Sequence, residues 1–171
     1  MTTERVSMYR SLGTTDEVNT CDLCGKKHLK DTVMLGELDA DGNVLGVVYF
    51  GCVCAAKATG WTVKQIRNDA AAADRAALIE RGTEIRDTTL AALPEVEPVI
   101  GPPKYGPADS GKVGIWLGDE HLGDRWPDYK NTEAAMQADG VRTWRDGRVS
   151  EALRAAGINP NEFARALSPA L

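Results

Sequence analysis

The chain has 171 residues, 43% of them hydrophobic and 6% aromatic, with a formal net charge of −5. That length fits one domain or two small ones, built on aliphatic side chains and close alanine contacts. The acidic balance excludes an overall basic nucleic-acid footprint, though not a local basic patch. The opening segment MTTERVSMYRSLGTTDEVNT is polar and lacks the apolar core of a secretory signal. No window approaches the roughly 18 apolar residues of a membrane span. A cytoplasmic location without a membrane partner is expected, where thiols stay reduced and disulfides are disfavoured.

Residues 1–20 read as a flexible N-terminal arm. Two strands follow, TVMLGEL at 32–38 and VLGVVYF at 44–50. The turn-forming DADGN between them makes the pair a β-hairpin. CAAKAT at 54–59 reads as a short helix ended by Gly60. Thr62 and Gln65 form a capping box that opens a long helical pattern towards Leu93, with Gly82 expected to break or kink it. Pro94 ends that helix. The stretch to Pro107 holds five prolines and reads as a stiff linker or strap. Beyond it come a strand at 112–117, the loop GDEHLGDRWPDYKN, a short helix at 132–138 and a better one at 148–156 stopped by Gly157. Asn159-Pro160 then caps a last helix.

The four cysteines lie as Cys21-x-x-Cys24 before the hairpin and Cys52-x-Cys54 after it. Zinc takes four tetrahedral thiolate or imidazole ligands. A Cys-x-x-Cys-Gly turn aims two sulfurs at one point, and the hairpin returns the chain beside it at the start of a helix. There the helix N-terminus favours a thiolate at Cys54. This order of knuckle, hairpin and helix start is a treble-clef arrangement. A set of Cys21, Cys24, Cys52 and Cys54 is the preferred reading, with His28 as the alternative fourth ligand to Cys52. Closure by four protein ligands marks a structural site, since catalytic zinc keeps a position for water. A thioredoxin-like redox pair needs the motif at a helix start within a βαβ unit, whereas here a turn and hairpin follow.

Cys21-Asp-Leu-Cys24-Gly25, Leu29 and Gly51-Cys-Val-Cys54-Ala-Ala-Lys-Ala-Thr-Gly60 resemble a pattern in small, uncharacterised treble-clef or zinc-ribbon-like proteins of actinobacterial phages and mobile elements. The resemblance covers residues 21–60. It implies a zinc module whose last cysteine is Cys54, and it has no cysteine where Cys52 stands, which favours His28.

Other signals are weaker. Asp39-Ala-Asp41-Gly42-Asn43 lacks the glycine and glutamate spacing of a calcium loop and reads as a turn. The acidic loop with Asp119, Glu120, His121, Asp124 and Asp128 offers acid–base groups, but it carries no catalytic signature. VSEALRAAGINPNEFARAL at 149–167 resembles a helix-turn-helix with Arg145, Arg148, Arg154 and Arg165 available to phosphates. A plain helical hairpin packing Leu153, Ile158, Phe163 and Leu167 is the preferred account. Lys26, Lys27, Lys30, Lys57 and Lys64 surround the knuckle and its helix. Trp61, Trp116, Trp126 and Trp144 are expected as core anchors, with exposure of Trp126 the mark of a partner surface.

The expected fold is α+β. A zinc-bound treble-clef-like unit (21–60) joins a long alanine-rich helical segment (61–93), a proline-rich linker (94–111) and a small mixed C-terminal region (112–171). The expected function is that of a non-enzymatic zinc-binding accessory protein, of phage type, acting on nucleic acid or its associated machinery. The alternative is a protein-interaction adaptor that oligomerises through residues 63–93.

Overall fold

A computed structural model describes residues 8–107, 110–128 and 132–168. The described residues are α+β, with two three-stranded antiparallel sheets and four helices. The chain divides into two compact units between Glu80 and Arg81. No helix among the described residues is long and apolar enough to cross a membrane.

The first unit carries β1 (Tyr9–Thr15), β2 (Thr32–Leu38) and β3 (Val44–Phe50) in the order β1-β2-β3. Both hairpin strands fall where the alternation of apolar residues puts them. The connecting turn is closed by Asp39, whose carboxylate accepts the N–H groups of Asp41 and Asn43 at 2.9 and 2.8 Å. The same donors hold its pKa below the usual carboxylate value. One face of the sheet supplies Val33, Leu35 and Phe50 to a core completed by Cys21, Ala55, Ile66 and Ala70. Helix α1 (Cys52–Thr59) ends at Gly60, whose φ of 76° admits the left-handed cap. Thr62 and Gln65 form the capping box of α2 (Val63–Ala92), with Gln65 N–H to Thr62 Oγ1 at 3.2 Å and Thr62 N–H to Gln65 Oε1 at 2.9 Å.

The arm expected over residues 1–20 is a strand from Tyr9 to Thr15; residues 1–7 lie outside the described part. Its alternation is broken by a register shift between Ser11 and Gly13, which hides the strand in the sequence. The Thr14 N–H and hydroxyl both donate to the Asp74 carboxylate on α2 at 2.8 Å. At Gly13 any side chain would strike that carboxylate.

The second unit carries β4 (Val99–Gly101), β5 (Val113–Leu117) and β6 (Glu120–Arg125), ordered β4-β5-β6, with α3 (Glu133–Ala155) and α4 (Pro160–Leu167). Its buried side chains include Ile115, Met136, Trp144, Leu153, Ile158, Phe163 and Ala166. Five expectations change here. The proline-rich linker contains β4, and the acidic loop contains β6, folded back on β5 through Gly118 at φ 58°. The two expected helices are one, because Gly140 lies inside α3 as a packing surface: a Cβ there would stand 2.6 Å from Ile115. Gly82 leaves α2 unbroken for the same kind of reason, its bare backbone lying against the Phe163 ring. Ile158 and Phe163 fill the core as a helical hairpin requires, Asn159 caps α4 through the Asn161 N–H, and Leu167 is exposed rather than packed.

Candidate metal centre

Cys21 and Cys24 occupy a tight turn. The Gly25 N–H reaches the Cys21 carbonyl at 2.8 Å and the Cys21 N–H reaches the Lys26 carbonyl at 2.9 Å, with Gly25 at φ 70°. Asp22 ties this turn to the end of β3. Its carboxylate accepts the Tyr49 N–H at 2.7 Å, and its N–H donates to the Tyr49 carbonyl at 2.8 Å. Those bonds bring the knuckle beside the start of α1, where Cys54 waits one turn in.

The result is a cluster of three sulfurs. Cys21, Cys24 and Cys54 place their Sγ atoms within 4.8 Å of one another, and Cys24 and Cys54 are 3.5 Å apart. Tetrahedral ligation with metal–sulfur bonds of about 2.3 Å requires sulfurs about 3.8 Å apart, so the cluster already has nearly the right edges. Cys21 is buried, Cys54 half-buried and Cys24 exposed. They line a cavity of about 180 Å³ together with Lys26, Leu29, Asp31, Gly51, Cys52 and Val53.

The electrostatics point the same way. Burial pushes the Cys21 thiol up, but the Gly51, Cys24 and Leu23 N–H groups and the Cys24 thiol outweigh it and bring Cys21 to about 7. Cys54 goes the other way. Its hydrogen bonds with Cys24 and Cys21, then burial and the charge of those two thiolates, push it up to about 11. One thiolate forms readily and a third is resisted for want of a positive charge between them. A bound cation supplies that charge. The three cysteines can therefore hold a metal ion, and thiolates select thiophilic ions.

Of the four expected cysteine ligands, the structure brings these three together. Cys52 lines the same cavity, but its sulfur stands outside the cluster, 3.9 Å from the Arg67 guanidinium. His28, at φ 60° and exposed, is not among the cavity's lining residues. Asp31 is a donor-bearing wall residue that the cysteine spacing did not single out.

Among the described residues the acidic loop gives no second cluster of metal-ligating groups. His121 Nε2 and Asp124 Oδ1 are 2.7 Å apart. The His121 ring packs against Trp116 and Tyr105 with centroids 4.9 and 5.6 Å away. Asp124 also accepts the Lys104 and Tyr105 N–H groups. Burial raises its pKa, while the His121 bond and these N–H donors outweigh that and hold it below the ordinary value. This pair latches the 102–107 segment to β6. Arg148 of the helical hairpin is engaged by Glu120 and Glu151 at 2.8 and 3.1 Å. Lys26, Lys27, Lys30, Lys57 and Lys64 are all exposed. No protein-family model matches the chain, and no curated protein or solved structure matches it.

Proposed function

We propose that residues 21–60 form a treble-clef-like module that holds Zn²⁺ as a structural ion, in a non-enzymatic accessory protein of phage type that binds nucleic acid or the machinery that handles it. The observation that carries the metal part is the convergence of three thiols, from a knuckle and a helix start, within 4.8 Å. Cys52 supplies the fourth thiolate by turning its side chain from Arg67 into the cavity that it already borders. The exposed Lys26, Lys27, Lys30, Lys57 and Lys64, with Arg67 on the next helix, support an anionic partner despite the acidic average.

Zinc per chain in reduced protein tests the metal centre. One equivalent is expected, lost in Cys21→Ser and Cys54→Ser, weakened in Cys52→Ser and retained in His28→Ala. Loss in His28→Ala alone would transfer the fourth position to histidine. A wild type without zinc would overturn the assignment. A salt-sensitive gel shift tests the nucleic-acid part, and no shift at low salt would remove it.

A second reading, an adaptor that self-associates through α2, is favoured by one observation. Along the 30 residues of that helix, only Ile66, Ala70 and Gly82 are buried, leaving an alanine-rich surface open. A strictly monomeric mass by light scattering would discard it.

A further inference from the structure

The three clustered sulfurs are not equivalent. Cys21 is 1% exposed. Its sulfur accepts the Gly51 N–H at 3.5 Å, and its own N–H and carbonyl are taken by Lys26 and Gly25. Cys24 is exposed and Cys54 half-buried, so a solute reaches both. Their sulfurs lie 3.5 Å apart, with the Cys54 thiol donating to Cys24. A disulfide has its sulfurs about 2.05 Å apart, so a further approach of about 1.5 Å joins this pair. Cys24 rides on residues 22–28, which are all exposed, and little packing opposes such a shift.

The other pairings are worse placed. A Cys21–Cys24 bond has to draw a buried sulfur away from the Gly51 N–H. Cys52 and Cys54 are two positions apart on α1, and side chains at that spacing do not face each other on a helix. The Cys52 sulfur stands outside the cluster, beside the Arg67 guanidinium.

We propose that Cys24 and Cys54 form a thiol switch on the metal centre, in which a hydroperoxide joins them as a disulfide and the ion is released. The proposal rests on the metal reading above and adds its regulation. The Cys24 thiolate attacks one peroxide oxygen, the O–O bond breaks and hydroxide leaves, giving a sulfenic acid. The Cys54 thiolate then attacks the Cys24 sulfur, and the S–O bond breaks as the S–S bond forms, with a second hydroxide leaving. The two thiolates lose two electrons, and the peroxide gains them. Only Cys21 and Cys52 then remain as ligands, where a structural zinc site requires four. The disulfide joins the same two elements that the ion joins, so the knuckle stays tied to α1 without metal. In a compartment that keeps thiols reduced, a disulfide of this kind is a transient signal rather than a permanent brace.

Full-length, zinc-loaded protein freed of reductant is treated with a small excess of hydrogen peroxide. Zinc release is followed with a chromophoric chelator, free thiols are counted, and unreduced peptides are sequenced by mass spectrometry. Loss of two of the four thiols, a Cys24–Cys54 link and zinc release in step with it are expected. A dithiol reductant should restore both thiols and zinc binding. Cys52→Ser keeps all three clustered cysteines and should form the same link. Zinc content before peroxide tests the metal reading by itself, and a protein without zinc would overturn both. With zinc bound at the start, a Cys21–Cys24 link, a link between two chains, sulfinic acid at Cys24 with no link, or four thiols retained beside bound zinc would each overturn the switch and leave the metal centre standing.

Discussion

Both units build on a three-stranded antiparallel sheet, yet they close by different means. In the first, the sheet face is covered by Ala55, Ile66 and Ala70, but residues 22–28 are all exposed. Apolar burial cannot hold that knuckle, and the thiols stand in for it. In the second, Ile115 is fully buried, and Met136, Trp144, Leu153 and Phe163 are buried too, and no cysteine lies beyond residue 54. Under the proposed metal centre, chelation serves where a segment has no apolar area to bury, and burial serves where it has. The two units should therefore fail under different insults.

Metal removal is expected to have the largest effect. Structural zinc contributes on the order of 10 kcal/mol to the folding of small modules. Chelation or Cys21→Ser should therefore melt the knuckle and expose the amides of β1 to β3, while those of β5 and α3 stay protected from hydrogen exchange. Full protection of β2 in metal-free protein would break the comparison. Ile115→Ala is the converse. It should cost about 2–5 kcal/mol in the thermal unfolding of the second unit and leave zinc per chain unchanged. A fall in zinc content would show that the units are not separable.

The parts legible in the sequence were those governed by local chemistry. The hairpin, the Thr62–Gln65 box and the Asn159-Pro160 cap each depend on neighbours within a few residues, and the pair Cys21/Cys24 with Cys54 followed from ligand spacing. What escaped depended on distant partners. β1 carries few apolar residues and a bulge, and only its pairing with β2 and the Asp74 carboxylate make it a strand. Gly82 and Gly140 look like helix breakers until Phe163 and Ile115 are seen against them. β6 looks like an acidic loop because His121 and Asp124 satisfy each other rather than solvent. Spacing sets Cys52 with its neighbours at the cavity wall, and it does not reveal the Arg67 guanidinium 3.9 Å from its sulfur.

The His121–Asp124 latch should matter less than Ile115. His121→Ala removes the ring between Tyr105 and Trp116 and leaves the Asp124 carboxylate short of a donor, at a cost of about 1–3 kcal/mol. The loss should appear as faster exchange of the Lys104 and Tyr105 amides, with β1 to β3 unaffected. Unchanged exchange at those two amides would mean that Asp124 holds the segment unaided.

Acid should separate the units by the smallest margin and in a definite order. Metal ligation requires thiolates, so falling pH sets protons against the ion at Cys21, Cys24 and Cys54. The carboxylates of the second unit yield later. Arg125, through its hydrogen bond, holds Asp139 below the ordinary 3.8, burial opposes this, and Arg142 adds to the lowering; Asp124 is likewise depressed. A carboxylate with a depressed folded pKa stabilises fully above its unfolded value and loses that contribution only as pH falls through the folded one. Mild acid should therefore release zinc, measured with a chromophoric chelator, while the tertiary signals of β5 and α3 persist to below about pH 4. Simultaneous loss of zinc and of those signals at one pH would show that the metal centre also supports the second unit, and the division between chelated and buried halves would fall.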